Sequence, residues 1–528
     1  MAQGFDAIII GSGFGGSVSA CRLAEAGHRV LVLERGRRWQ VEDYPRKPGD
    51  AWTYDPECPE RENGWIDMRF FGDMVVVQGA GVGGGSLIYA NISVEARPEL
   101  FEDGWPPEVT YQELAPYYAR VAKFMNIQKV PDNQLTRRFN LMKEGAEKIG
   151  EGHRFMPLPL AVSFSDKWSY DLPNPFDHSH SEKFVNEQGV EQGTCVHLGF
   201  CDLGCPVKAK NTLDLNYLAW AEKKGAEVRP LHLVRSIEPQ GTGWKVNFDR
   251  IENGKLIPGS ETAPKVIVAA GSLGSSDLLL RCRDQYKTLP NLSPRLGIGW
   301  SSNGDFLTPA FYGKDRVINP TQGPTISSAI DFLDGSQGGN KFFIEDGGFP
   351  DLVLGYIEEK LAKGSKDRRW NQLLSAVGKH LEGKPGFSNV MPWFAQGIDA
   401  ANGKFYLGRK WWAPWKRVLK LAWEIEKSEA MVDGIVAMHK KLSAATGGDP
   451  WVPPTWTLLK MLVTPHPLGG CNMGRTANDG VVDHLGRVFG HERLYVIDGA
   501  IIPEAIGRNP TRTIAALAER SLEHAVAK

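Results

Sequence analysis

A glycine motif near the start of the chain restricts the fold more than any other feature. Four local structures are predicted in order, namely a buried strand, a glycine turn, a helix and a second apolar strand, at residues 5–10, 11–16, 17–26 and 28–33. Gly27 ends the helix, and Glu34 closes the second strand, where its carboxylate can accept hydrogen bonds from ribose hydroxyls. This order is typical of a dinucleotide-binding βαβ unit. A glycine-rich structural turn is the alternative.

The glycines of this turn, which reads G-x-G-x-x-G, have separate physical tasks. Gly11 permits the tight turn, Gly13 lets a pyrophosphate approach the backbone, and Gly16 lets the helix pack closely on the strand. Phe14 and Gly15 complete the turn, and the helix that follows offers free N–H groups to phosphate. We therefore expect all five residues in a nucleotide site, although the motif does not separate NAD from FAD.

A second glycine cluster follows the apolar run 74–77. A segment with so few side chains can lie against a flat, rigid ligand, where side chains would clash. A flexible surface loop is the alternative, but apolar residues flank the cluster on both sides. The predicted cofactor contacts in this cluster are Gly79, Gly83, Gly84, Ser86 and Leu87.

The C-terminal segment predicts a strand over residues 493–497 and a helix from Pro510 to about Val526. Asn509 suits the N-cap and Pro510 the first helical position. A helix N-terminus at the pyrimidine edge of a flavin would stabilise the anionic reduced ring; a plainly capped helix is the alternative. The predicted cofactor contacts here are Asp498, Gly499, Asn509, Pro510 and Thr511.

Together these segments resemble the glucose–methanol–choline (GMC) oxidoreductases, which are FAD-dependent alcohol-oxidising enzymes, and above all their cholesterol oxidase branch with non-covalent FAD. The most specific matches are the motif His-Pro-Leu-Gly-Gly-Cys at 466–471 and the segment from 498–503 to Asn509-Pro510. The resembling pieces span the whole chain, at residues 6–34, 79–86, 209–218, 267–280, 466–474 and 494–520.

The resemblance implies an α/β fold, in which a doubly wound FAD-binding domain is interleaved with an α+β substrate domain built on an antiparallel sheet. Within the FAD domain, Val234 would meet the adenine, and Ala270 and Gly271 would follow an apolar strand at the cofactor. The FAD domain would comprise residues 1–44, 72–95, 211–308 and 474–528, and the substrate domain 45–71, 96–210 and 309–473.

The resemblance also implies the reaction, which is oxidation of the hydroxyl of a bulky apolar, sterol-like alcohol by hydride transfer to flavin N5. His466 is the expected base, since histidine titrates near neutral pH. Asn509 occupies the second active-site position, where its amide would bind the substrate oxygen or polarise the flavin edge. Glu345 is the third candidate, because cholesterol oxidases use a Glu in a similar strand for double-bond isomerisation; an ordinary surface acid is the alternative.

Three rival functions follow. A redox-neutral isomerase, or another acid–base enzyme on a similar substrate, would use Glu345 and His466 beside a bound flavin. A flavin-bearing binding protein would have no turnover. An NAD-dependent dehydrogenase is disfavoured, because its site needs neither the second glycine cluster nor the helix after Asn509.

Three cysteines form a C-x5-C-x3-C cluster, at Cys195, Cys201 and Cys205. The favoured interpretation is three reduced thiols, with no metal. A related class of flavin glucose dehydrogenases holds a three-iron cluster with this spacing, so an iron–sulfur cluster and an external electron acceptor form one alternative. A disulfide, or a zinc site that includes His197, is another.

Charge and hydropathy limit the partners. Lys and Arg number 61 against 62 Asp and Glu, which removes the electrostatic basis for nucleic-acid binding. No run of about 20 apolar residues and no secretory signal is visible, so we expect a cytoplasmic protein. The electron acceptor would be oxygen or an unknown carrier. Residues 411–423 combine four Trp with three basic residues, which predicts either transient contact with a membrane surface or an aromatic layer over the pocket.

Overall fold

A computed structural model of the protein describes residues 4–47, 50–350, 389–410 and 413–526. The helices in these ranges are α1 Phe14–Glu25, α2 Tyr111–Phe124, α3 Arg137–Lys148, α4 Tyr217–Lys223, α5 Gly271–Leu280, α6 Glu429–Thr446, α7 Pro454–Leu459 and α8 Thr511–Ser521. The strands are β1 Ala7–Ile10, β2 Val30–Leu33, β3 Ile66–Phe71, β4 Met74–Gly79, β5 Phe155–Pro157, β6 Phe184–Val185, β7 Glu191–Gln192, β8 Glu227–Arg229, β9 His232–Gln240, β10 Gly243–Glu252, β11 Lys255–Ala263, β12 Lys265–Val268, β13 Ile298–Trp300, β14 Phe306–Phe311, β15 Ser328–Asp331, β16 Phe342–Asp346, β17 Val390–Gly397, β18 Gly403–Lys410, β19 Ala413–Ala422, β20 Asp449–Pro450, β21 Leu462–Thr464 and β22 Leu494–Val496.

A five-stranded parallel sheet holds the two ends of the chain together, in the order β22-β12-β1-β2-β8. In its centre, Ile8 is paired with Val266 on one side and with Leu31 on the other. Every residue of β1 and of β2 is buried, which explains why both strands are uninterrupted apolar runs. The carboxyl ends of β1, β12 and β22 therefore open at one edge, where parallel sheets bind their ligands.

The two faces of this sheet are covered by different structures, because successive side chains of a strand point to opposite sides. Ala7 and Ile9 pack in one core with residues of α1, α4 and α8. Ile8 and Ile10 belong to the other core, with Ile237 of the antiparallel β9-β10-β11 sheet and with residues of α5. The predicted α/β layer thus has helices on one face, and the three-stranded antiparallel sheet together with α5 on the other.

A six-stranded antiparallel sheet forms the second layer, in the order β20-β14-β17-β16-β15-β5, with α3 and α6 packed against it. In this sheet Glu345 is paired with Phe394 of β17 and with Ala329 of β15. The predicted fold class, a nucleotide-binding parallel sheet combined with an antiparallel substrate sheet, is confirmed.

Strand pairing crosses the predicted domain limits. β4 lies in the predicted FAD domain, but its neighbours β3 and β21 in a three-stranded sheet lie in the predicted substrate domain. β14 begins at Phe306, before the predicted limit at residue 308, although it belongs to the six-stranded sheet. The two units therefore share a sheet, and the exact limits stay a prediction.

Candidate active site

A cavity of about 1320 Å³ joins the first glycine turn to His466 and Asn509. This volume exceeds the roughly 300–1,000 Å³ of an ordinary small-molecule site, so it has room for a large cofactor together with a substrate. Most of the predicted cofactor residues line it, namely Gly11, Gly13, Phe14, Gly15, Glu34, Gly79, Gly84, Val234, Ala270, Gly271, Asp498, Gly499, Asn509, Pro510 and Thr511.

The glycines of the first turn face different surroundings. A Cβ atom added to Gly13 would meet no atom within 4 Å, so this position is open toward the cavity. A Cβ on Gly15 would lie 1.7 Å from the carbonyl oxygen of Ile497, and one on Gly16 would lie 2.1 Å from that of Gly11. Gly13 therefore leaves space for a ligand, whereas Gly15 and Gly16 allow α1 to contact the sheet.

The second glycine cluster is packed directly on the first. A Cβ on Gly84 would lie 2.6 Å from the Cα of Gly13. The hydroxyl of Ser86 donates to the Gly83 carbonyl at 2.8 Å and accepts a backbone N–H from residue 213 at 3.1 Å. Ser86 and Leu87 are buried behind the loop and fix its shape. Five predicted site residues are absent from the described cavity wall, namely Gly16, Gly83, Ser86, Leu87 and Glu345.

Two carboxylates hold the turns around the cavity. Glu34 accepts hydrogen bonds from the backbone N–H and the hydroxyl of Ser12, at 3.1 and 2.6 Å, and from the N–H of Gly36 at 2.9 Å. Asp498 accepts from the N–H of Gly271 at 2.8 Å. Burial raises the pKa of Asp498 above its usual value. Glu34 also lines the cavity, as its predicted contact with a ribose requires.

His466 lies in a loop that backbone hydrogen bonds fix on both sides. Leu468 exchanges two hydrogen bonds of 3.0 Å with Ser301, and the N–H of Gly469 donates to the Gly499 carbonyl at 2.9 Å. The Nδ1 atom of His466 is 2.8 Å from Asp305 Oδ1. Burial alone would lower the pKa of His466, but the charge and hydrogen bond of Asp305 outweigh it and raise that pKa. Nε2 is the ring nitrogen left for a ligand in the cavity.

The structure brings Glu345 and Asn509 to the same place as His466. Burial raises the pKa of Glu345 to about 8, while the amides of Gln396 and Asn509 and the charge of His466 lower it. Gln396 donates to Glu345 Oε2 at 2.9 Å. Within the described residues, Glu345 Oε1 and Asn509 Oδ1 are buried without a hydrogen-bond partner. Such orphaned atoms are typical of a site whose ligand completes the hydrogen bonding.

One short segment between β13 and β14 positions both active-site residues, and sequence reasoning missed it. Asp305 contacts His466 as described above, and Asn303 Oδ1 accepts the backbone N–H of Gly507 at 2.9 Å. Asn303 Nδ2 also donates to the carbonyl of Arg508, the residue before Asn509. The one signal in the sequence is a run of five polar or small residues, 301–305, directly before an apolar strand.

The three cysteines are unpaired thiols. Burial raises the pKa of Cys195 well above its usual value and also raises the pKa of Cys201. His197 stacks on Trp168 with ring centroids 3.9 Å apart, and burial lowers its pKa to about 3. In the described part of the chain, no three His, Cys, Asp or Glu side chains could jointly hold a metal ion. Three reduced thiols with no metal therefore stay a prediction, beside the iron–sulfur, zinc and disulfide alternatives.

Known proteins match both ends of the chain and its whole length. Residues 409–518 match the family model of the GMC oxidoreductases, and residues 9–50 that of NAD(P)-binding Rossmann-like domains. A cholesterol oxidase of Acinetobacter baumannii is 31% identical, over 99% of this chain and 95% of its own length. The chain belongs to the GMC oxidoreductase family. A cholesterol oxidase of Mycobacterium tuberculosis is similar at 30% identity, over 99% of this chain and 91% of its own.

Solved structures of GMC-type folds agree. The pyridoxine 4-oxidase from Mesorbium loti superposes with a TM-score of 0.64 at 15% identity, over 98% of this chain and 99% of that one. A fungal aryl-alcohol oxidase superposes with a TM-score of 0.61 at 14% identity, over 99% of both chains. At these identities the likeness shows the fold.

This GMC oxidoreductase is an FAD-dependent alcohol oxidoreductase, and its cavity fits FAD. The opening at Gly13, the close packing of the two glycine clusters and the position of Glu34 on the cavity wall suit the dinucleotide. Asn509 Oδ1 lies just before α8 without a hydrogen-bond partner in the described residues, which suits the polar flavin ring of FAD at the other end of the cavity.

Proposed function

We propose that this enzyme oxidises the hydroxyl group of a bulky apolar alcohol, of the sterol type, to a carbonyl. FAD would be held non-covalently, because residues 79–91 contain no histidine for covalent attachment. Oxygen would be the electron acceptor, as the relatives named as oxidases indicate. The observation that carries the proposal is a single cavity with a dinucleotide motif at one end and His466 and Asn509 at the other.

Different residues of the chain have different roles in the proposed reaction. Bound FAD supplies the acceptor for two electrons and the carbinol hydrogen. His466 Nε2 accepts the hydroxyl proton, since Nδ1 already faces Asp305. Asn509 holds the substrate oxygen through its amide. The turns at Gly13, Glu34 and Asp498 would hold the dinucleotide.

The entrance of the cavity supports an apolar substrate. Six of the ten large apolar side chains that are exposed in the described residues line this cavity, namely Met68, Phe70, Tyr286, Leu307, Trp415 and Val463. Phe70 is 72% exposed and Trp415 is 78% exposed. Exposed apolar side chains concentrated around one opening favour an apolar substrate or surface there.

We further propose that this entrance rests transiently on a lipid surface from which the alcohol enters. Lys416 and Arg417 follow Trp415 on β19 and also line the opening, so anionic headgroups would add an attraction to that of the apolar side chains. Trp411 and Trp412, which contributed to the sequence prediction, lie outside the described residues. None of the helices in the described ranges has the length and apolar character needed to span a bilayer.

Glu345 supports a second activity at the same site. Its carboxyl is uncharged below about pH 8, because burial raises its pKa, and it lies close enough to His466 for their charges to interact. A carboxyl group with this pKa can take a proton from one carbon as the carboxylate and return it to another carbon as the acid, which is the requirement for moving a double bond next to a carbonyl. A redox-neutral isomerisation is therefore the alternative function.

The first test is the visible spectrum of the purified protein, followed by anaerobic addition of sterols and of long and short alcohols. We expect flavin absorbance that acid precipitation releases, bleaching by the bulky apolar alcohols, and product two hydrogens lighter. A colourless protein that FAD does not reconstitute would refute the proposal. Product of unchanged mass without bleaching would instead assign the isomerase activity, and Glu345→Gln should then abolish it.

The second test is sedimentation with vesicles that contain no substrate. We expect the wild type to bind vesicles with anionic lipids, and the double variant of Phe70→Ser and Trp415→Ser to lose most of this binding. Tyr406→Ser is the matched control, because Tyr406 is 42% exposed on the neighbouring strand β18 but does not line the cavity. Equal binding by wild type and double variant would refute the lipid contact.

A further inference from the structure

Asp305 contacts His466 but, unlike His466, does not line the cavity. Asp305 is buried, and its Oδ1 is 2.8 Å from His466 Nδ1. Its other oxygen lies 2.5 Å from the hydroxyl of Thr464, and the same hydroxyl accepts the His466 backbone N–H at 2.9 Å. The ring and the backbone of His466 are thus held by one connected group of side chains.

A carboxylate can only accept hydrogen bonds, whereas a neutral imidazole carries one N–H and one bare nitrogen. Given the proposed role of His466 as the base, we propose that Asp305 is a positioning residue that keeps the proton of the neutral ring on Nδ1. Nε2 is then the bare nitrogen, and it is the one available to the substrate.

The proton balance of the step follows from this arrangement. The hydroxyl proton passes to Nε2, and the ring becomes an imidazolium whose Nδ1–H still faces Asp305. No proton reaches Asp305, and FAD, when bound, would supply the acceptor for the carbinol hydrogen and its electron pair. Asp305 stabilises the imidazolium that forms, which a neutral residue in its place could not do to the same extent.

The other groups around the ring leave Asp305 as its charged neighbour at neutral pH. Glu345 of β16 is near enough to interact electrostatically with the ring, but burial raises the pKa of Glu345 to about 8, so it is mainly neutral at pH 7. Phe394 of β17 packs near the ring, with centroids 6.4 Å apart, and carries no charge. Thr464 of β21 and Asn509 are also neutral.

The test compares Asp305→Asn with wild type by ¹⁵N imidazole NMR of the FAD-loaded enzyme and by the pH profile of alcohol-driven flavin reduction. His466→Gln identifies the His466 signals by their loss. We expect Nδ1–H in the neutral wild-type ring. In Asp305→Asn, we expect the pKa of His466 to fall by about 1–3 units and the acid limb of the profile to move by the same amount. The maximal rate should fall, since the amide can also donate to Nδ1 and favour the other tautomer.

The matched control is Asp399→Asn. Asp399 is a buried acid that accepts from the N–H and the hydroxyl of Ser302, at 2.7 and 2.8 Å, in the same segment, but it does not contact His466. This variant should lose stability and keep the wild-type pKa of His466.

Two results overturn the inference: a proton on Nε2 of the neutral wild-type ring, or an unchanged pKa in Asp305→Asn. The NMR spectrum of the wild type shows which ring nitrogen carries the proton, so it tests the inference even if Asp305→Asn does not fold. An undiminished rate in His466→Gln would refute the proposed base instead, while the NMR result still decides what Asp305 does to the ring.

Discussion

Gly13 and Gly15 lie two residues apart in one turn, and alanine should have different effects at the two positions: loss of stability at Gly15 and loss of FAD affinity at Gly13. A Cβ on Gly15 would lie 1.7 Å from the Ile497 carbonyl oxygen, whereas carbon and oxygen atoms in contact stay about 3.3 Å or more apart. The start of α1 and the end of β22 would have to separate by more than about 1 Å. Overpacking of this kind costs about 3 kcal/mol, and a rotamer change cannot relieve a clash with backbone. Gly15→Ala should therefore destabilise the FAD-free protein.

Gly13→Ala should leave the fold intact and weaken the binding of FAD. Gly13 has φ −71° and ψ −166°, which alanine adopts readily, and the added methyl group meets no protein atom within 4 Å. Its stability without FAD should stay within about 0.5 kcal/mol of wild type. The methyl group would occupy the space predicted for the pyrophosphate, where an overpacking cost of about 1–3 kcal/mol corresponds to a roughly 5- to 150-fold higher Kd for FAD.

Denaturant midpoints of the FAD-free proteins and FAD titrations by flavin fluorescence measure both effects. Gly27→Ala is the control for backbone strain alone, because Gly27 has φ +84° but open space around it. This variant should lose about 1 kcal/mol and bind FAD normally. The reasoning is wrong if Gly13→Ala unfolds as easily as Gly15→Ala, or if it binds FAD like wild type.

Three further predictions concern buried polar groups. Burial raises the pKa of Glu345 to about 8, whereas the pKa of a glutamate in an unfolded chain is about 4.3. Between these two pH values the folded protein binds one more proton than the unfolded chain. The stability of the wild type should therefore fall as the pH rises from about 5 to 8. Glu345→Gln should remove this slope, which denaturant midpoints across that pH range would show; an unchanged slope would contradict it. Asn303→Ala should slow flavin reduction without changing the pKa of His466, because it removes the hydrogen bond that holds the turn at Gly507. If stopped-flow measurements give the wild-type rate of flavin reduction, Asn303 does not position the active site. Glu519→Gln should cost about 3 kcal/mol of unfolding free energy, since it weakens the ion pair of the buried Glu519 with the partly buried Arg22 at 2.7 Å. A loss under about 1 kcal/mol would contradict this expectation.

The nucleotide-binding layer could be predicted because its requirements are local. Each strand, turn and helix of residues 5–34 has its own signal within a few positions. The start of α1 was the error, since the sequence predicted residue 17 and the helix begins at Phe14. Gly15 and Gly16 have poor helix propensity, but their lack of side chains allows the contacts with Ile497 and Gly11, and this packing outweighs propensity.

The positioning of the active site could not be predicted in the same way. Asp305 meets His466 across 161 positions of sequence, and Asn303 meets Gly507 across 204. A short polar run has no periodicity that says what it contacts, so its partners follow only from the way the sheets come together. The sequence also could not show that Ser86 and Leu87 support the glycine loop from behind rather than line the cavity.

The placement of the last strand has a consequence for how the enzyme matures in the cell. Until β22 is made, β12 is an open edge of the parallel sheet, and the cavity lacks the wall that residues 498–514 supply. β12 ends at residue 268 and β22 begins at residue 494, so at roughly 5–20 residues per second synthesis leaves that edge unpaired for about 10–45 s. The cavity that would hold FAD is therefore complete only when residues 494–514 have joined the fold.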